Sequence, residues 1–127
     1  MLLGDPRDNA VSEAVIGCAI EVHRNLGPGL LENVYETAMC IELGRASRMV
    51  ERQLAVPLYY KGMLLSEHRL DLVVDGRIVV EIKNVARFEP VHMAQVLTYL
   101  RVMNLRIGLL INFNVAVLRN GIKRVML

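Results

Sequence analysis

Apolar positions along the 127-residue chain recur with two different periods. Val11, Val15, Cys18 (or Ala19), Val22 and Leu26 repeat at helical spacing, and Asp8 or Asn9 is placed to cap such a helix. Residues 1–8 read as a loose lead-in. The stretch LGPG at 26–29 stops the helix, because proline continues it poorly and the glycines permit positive φ. A second helix is expected over about 31–45, with Leu31, Val34, Ala38 and Ile41 as its apolar stripe. The period then changes to two. Leu54, Val56, Leu58 and Tyr60 alternate along a strand that Pro57 marks as an edge or a bulge, and Lys61-Gly62 is a turn. Two more strands follow in MLLSEHRLDLVV and RIVVEIK. Residues 89–103 return to helical spacing, with Pro90 in the first turn. RIGLLINF is nearly continuously apolar, interrupted by Asn112, the pattern of a central strand covered on both faces. The end of the chain reads as a hairpin about Asn120-Gly121. The order ααβββαβββ predicts a single α/β (α+β) domain over 1–127, with helices flanking a mixed sheet.

Two apolar runs flank Asp75-Gly76 in the hairpin RLDLVVDGRIVVEIK at 69–83, and three charges lie inside those runs: Asp71, Glu81 and Lys83. Strand side chains alternate faces, so Leu70, Leu72 and Val74 are expected on one face, together with Ile78, Val80 and Ile82. Directly opposed residues in an antiparallel pair have a constant sum of numbers, which must then be even. A two-residue turn at Asp75-Gly76 would pair 74 with 77 and mix the faces. A three-residue loop, or a bulge, keeps them apart. The same parity gathers Asp71, Glu81 and Lys83 on the opposite face. Asp71 then lies opposite or diagonal to Glu81, within about 5–8 Å. Two carboxylates that close repel unless positive charge sits between them. Lys83 supplies one charge, and a divalent cation would supply two. A solvated charged face would explain the trio on an arbitrary hairpin, but Val73 and Val79 share this face.

Composition narrows the function classes. The chain is 54% hydrophobic, yet no window reaches the roughly 18–20 uninterrupted apolar residues of a membrane helix. Asp5, Arg7 and Asp8 fall where the apolar part of a secretory leader would lie, so a cytoplasmic protein is expected. Cys18 and Cys40 show no metal-binding spacing and read as buried free thiols. The net charge of +2 permits nucleic acid as a partner without arguing for it.

Asp71, nine residues, then Glu81-Ile82-Lys83 resembles the active-site signature of the PD-(D/E)XK nuclease superfamily. GLLENVY at 29–35 (Gly29, Glu32, Tyr35) resembles the motif that names the GxxExxY family. Gln95 and Tyr99 have the QxxxY spacing of the exonuclease-like branch, and GLLINF at 108–113 resembles the late strand of the GxxExxY proteins. The resemblance runs over residues 11–126 in order. It implies a restriction-endonuclease-like fold and a metal-dependent nuclease acting on DNA. Asp71, Glu81 and the Ile82 carbonyl would then hold Mg²⁺ or Mn²⁺, with Glu32 as a further metal or water contact. Lys83 would position or activate the attacking water, and Gln95 and Tyr99 would border the site. Tyr35 reads as support for the Glu32 helix, and His92 is given no role. Arg24, Arg69, Arg87 and Lys61 are candidates to line a phosphate groove. A nuclease this small would need a homodimer, another partner or a substrate with exposed ends. The alternative is a catalytically silent module of the same fold that binds nucleic acid or protein.

Overall fold

The computed structural model describes residues 4–127. Among these lie three helices and five strands. The helices are α1 (Pro6–Leu26), α2 (Glu32–Arg45) and α3 (Pro90–Met103). The strands are β1 (Val50–Tyr60), β2 (Met63–Val74), β3 (Ile78–Lys83), β4 (Ile107–Asn112) and β5 (Ile122–Met126). They form one sheet in the order β1-β2-β3-β4-β5. Only β3 and β4 run parallel, joined by the α3 crossover; the other pairs are antiparallel. All six residues of β4 are buried, Asn112 at its end included, as expected of a strand covered on both faces. No described helix is long and apolar enough to cross a membrane.

Two apolar layers sandwich the sheet. Val15, Val22, Tyr35, Met39 and Leu43 of α1 and α2 pack on Leu72, Val74, Val80, Ile82 and Leu109. On the other side, Val96, Tyr99 and Leu100 of α3 pack on Val73, Val79 and Leu110. Each large apolar side chain so covered contributes about 1.5–3 kcal/mol relative to exposure. Both cysteines are free thiols, Cys18 buried and Cys40 partly so.

Four expectations change. α1 begins at Pro6, capped by Asp5, whose side chain accepts from the Arg7 amide at 2.8 Å. The loose lead-in over 1–8 therefore shortens; residues 1–3 lie outside the described residues. On α2 the inward face is Tyr35, Met39 and Leu43, while Leu31 and Ile41 are 70% and 58% exposed. Tyr35 sets this rotation. Its ring stacks on Phe113 at 4.3 Å, and its hydroxyl closes the LGPG loop by accepting from the Leu30 amide and donating to the Gly27 carbonyl. Tyr35→Phe keeps the stack but strips both loop partners. Urea unfolding is expected to register a loss of about 1–3 kcal/mol.

The C-terminal hairpin is absent. Residues 118–121 form a short 3-10 turn, and β5 pairs with β4 instead. Val115 and Leu118 are drawn into the α1 layer rather than into a local strand pair, and the His23 ring bonds the Val115 carbonyl at 2.8 Å.

The fourth change shapes the site. The loop between β2 and β3 has three residues, one of the two solutions parity allowed: Val74 opposes Ile78, and the Arg77 amide donates to the Val74 carbonyl. Leu70, however, leaves the face of Leu72 and Val74 and packs with Val56 under α3. β1 reverses at the same level, since Val50 packs toward α1 and α2 whereas Leu54 and Leu58 pack toward α3. Between these halves the ladder runs from Arg52–Leu72 to Leu54–Leu70 and skips Gln53 and Asp71. Gln53 is in the left-handed region (φ 54°), and this turns the ribbon over.

Candidate active site

The reversal of the ribbon opens the sheet at Asp71, beside the buried end of β3. Asp71 is tied down from two sides. Its Oδ2 accepts from the Ile82 amide at 2.7 Å, and its Oδ1 accepts from the Gln53 side-chain amide at 3.2 Å. Glu81 faces it across the strands and accepts from the Asp71 backbone N–H at 3.1 Å. Only 4% of Glu81 is exposed. The structure thus brings together the two acids that parity placed on one face. Lys83 lies two residues beyond Glu81 on the same strand, half-buried, and makes no ion pair among the described residues. Its ammonium is near enough to favour ionisation of both carboxylates.

Burial opposes that ionisation more strongly. Glu81 is pushed up to about 8, first by loss of water and then by the Asp71 charge. Burial also raises Asp71, partly offset by the bond from the Ile82 amide. Above the ordinary glutamate value of 4.5 the unfolded chain has released the proton that folded Glu81 keeps. The cation-free protein should therefore lose stability as pH rises from about 5 to about 8, then level off. Glu81→Gln should remove most of that slope. Thermal unfolding in chelator at several pH values checks it.

Tyr99 approaches from α3 and is buried. Burial raises its hydroxyl to about 12, and the nearby Glu81 and Asp71 charges add to the rise, with the Gln95 amide pulling the other way. It also faces His68 of β2, with the hydroxyl 3.5 Å from the ring nitrogen. Gln95 and Tyr99 thus sit together on the α3 side of the acidic pair.

Glu32 occupies a different place. Its carboxylate accepts from the Asn84 amide at 2.8 Å and so anchors α2 to the backbone just past Lys83. The α2 acid that reaches toward Asp71 is Glu36, one turn later and buried, which accepts from the Gln53 amide at 2.8 Å and pairs with Arg52. Sequence reasoning missed Glu36 and Gln53. A glutamate among apolar helix positions was the available signal for the first, and nothing local signals the second. Asn112, which interrupts the apolar run of β4, is also explained. It is buried and clamps the loop after Lys83, accepting from the Val85 amide and donating to the Val85 carbonyl.

The donor set is made of hard oxygens, as Mg²⁺ or Mn²⁺ requires. Among the described residues no three acidic, histidine or cysteine side chains converge into a ready-made cage. Two carboxylates plus backbone and water oxygens suit Mg²⁺, which keeps several waters. The mutual repulsion of Asp71 and Glu81 is what a divalent cation would relieve. Of the four candidate phosphate-groove cations, Arg69 lies at the site, bonded to the Gln53 carbonyl. Arg24 and Arg87 are engaged by Glu21 and Glu89, and Lys61 lies over the Tyr60 ring at the tip of the β1–β2 hairpin.

No curated protein and no solved structure matches the chain. A family model described as the PD-(D/E)XK nuclease superfamily matches residues 9–125, which include every residue of the site described above. The three-helix, five-strand mixed sheet agrees with the restriction-endonuclease-like fold. By this match the chain belongs to the PD-(D/E)XK nuclease superfamily.

Proposed function

We propose that the protein is a nuclease that hydrolyses phosphodiester bonds in DNA with Mg²⁺ or Mn²⁺. The observation that carries this reading is the Asp71–Glu81 pair, Glu81 buried and Asp71 half-buried, with Lys83 on the strand of Glu81 and in no ion pair among the described residues. Asp71, Glu81 and the Ile82 carbonyl would hold the cation, which supplies charge neutralisation at the phosphate and a water of lowered pKa. Lys83 donates hydrogen bonds to the phosphate and to the attacking water. The side chains of Gln95 and Tyr99 limit access from the α3 side. Glu32 fixes the backbone that carries Lys83 and would serve as a further metal or water contact. Within the superfamily we assign the chain to the GxxExxY proteins. The loop backbone at Gly29 (φ 98°), the Tyr35 hydroxyl that closes it and the Glu32 anchor give the three motif residues one joint structural task.

The decisive experiment incubates purified protein with linear duplex, circular duplex and single-stranded DNA, and with RNA, in Mg²⁺, in Mn²⁺ and in chelator. Cleavage of DNA that requires the cation supports the reading; no cleavage of any substrate despite measured cation binding supports the silent alternative. That alternative has one observation in its favour, the absence of a three-carboxylate cage among the described residues. We also propose that the chain acts as a homodimer. Tyr59, Tyr60, Met63, Leu64 and Leu65, at the tip of the β1–β2 hairpin, are each 57–70% exposed. They leave apolar side chains exposed on both faces of the tip, which a second copy would cover. Leu64→Glu should then shift sedimentation toward a monomer. A reducing compartment such as the cytoplasm fits the two free thiols.

A further inference from the structure

We infer that Gln53 is a positioning residue: its side-chain amide holds Asp71 in the orientation that receives the cation and links it to the buried Glu36 on α2. The inference rests on the reading of Asp71 as a cation ligand.

The geometry is unusual for a strand. Gln53 sits in the middle of β1, opposite Asp71, with φ 54°, which non-glycine residues adopt uncommonly and mostly in turns. Nothing in an edge strand demands that conformation; Arg52 and Leu54 on either side remain in the ladder. Its effect is local and specific. The Gln53 carbonyl, lost to the ladder, accepts from Arg69 at 3.1 Å. The side chain turns inward to two carboxylates, with Nε2 donating to Glu36 at 2.8 Å and to Asp71 at 3.2 Å. An amide nitrogen has two N–H donors, so it can serve both acids at once. A lysine here would neutralise the acids and compete with a cation. The amide is uncharged, so it restrains Asp71 and leaves the negative charge of the pair in place. Glu36 is itself fixed by Arg52 at 3.3 Å, so the restraint runs from α2 through Gln53 to the site. Such outer partners orient metal-binding carboxylates, and losing one typically weakens metal affinity 10–100-fold.

Two substitutions separate this role from simple support of the fold. Gln53→Gly removes the amide and relieves the left-handed backbone. Gln53→Met removes the amide but keeps side-chain length and backbone strain. Mn²⁺ affinity measured by calorimetry is expected to fall about 10- to 100-fold in both, while the melting temperature of Gln53→Gly in chelator stays at or above that of the wild type. Wild-type affinity in either variant overturns the proposal and leaves the cation reading intact. Absence of Mn²⁺ binding by the wild type overturns the cation reading and the proposal with it. An affinity loss that tracks a fall in melting temperature across both variants also overturns it, since that is the mark of a residue that only supports the fold.

Discussion

Lys83→Ala is expected to cut cation-dependent DNA cleavage by about 100- to 10,000-fold, the range for loss of a group that assists proton movement or charge stabilisation in the transition state. Glu81→Gln should match that loss by another route. Lys83 carries charge toward the phosphate and water, so its removal should leave Mn²⁺ binding near the wild-type level or tighter, since a competing cation is gone. Glu81 is a proposed ligand, so its neutral isostere should weaken Mn²⁺ binding along with cleavage. Cleavage assays run beside calorimetry distinguish the two patterns. Undiminished cleavage in both variants would remove these residues from the mechanism and point to a contaminating enzyme.

Gly121→Ala is expected to be the most damaging single change to stability among the glycines. A β-carbon there would overlap the Asn112 carbonyl oxygen and come within 3.0 Å of the Val115 side chain. The opposing atom is backbone, so no rotamer change can clear it. The expected cost is about 3 kcal/mol or more, at the upper end for overpacking. Gly108→Ala is the instructive comparison. Its β-carbon would come 2.5 Å from a methyl of Val96, a side chain that can shift. Gly121→Ala should also loosen the loop after Lys83, because Asn112 holds that loop through Val85. Urea denaturation of both variants ranks them, and equal midpoints would contradict the overlap.

The elements were legible wherever one periodic signal dominated. The nearly continuous run of β4 predicted a covered strand, and the parity of residues 72–80 predicted a three-residue loop or a bulge, because both depend only on side-chain pattern. The closeness of Asp71 and Glu81 was legible from strand register, which puts them across from one another, although the faces reverse beside Asp71. Failures came where tertiary contacts overrode local pattern. Leu31, Val34 and Ile41 have helical spacing as good as that of Tyr35, Met39 and Leu43, and only the Phe113 stack and the LGPG loop decide between the two stripes. The strand expected near residue 117 lost to pairing between β4 and β5. Gln53 was hidden because alternation assumes an unbroken pleat. One left-handed residue reversed the faces of Leu70 and Leu54 and carried the side chain to the site. Glu36 was hidden with it, since its relevance depends on what Gln53 touches.

The irregularities of β1 also bear on how the edge of the sheet is protected. β1 is the outer strand of a sheet in a chain that is 54% hydrophobic, and eleven residues of open edge would invite another chain to add on. Three breaks interrupt that edge between residues 53 and 59: the reversed backbone at Gln53, the missing N–H of Pro57, and the register shift between Leu58 and Tyr59. No stretch between them offers a straight row of donors and acceptors long enough to template a fibril. The residue that turns the ribbon over at the site therefore also guards the sheet against aggregation.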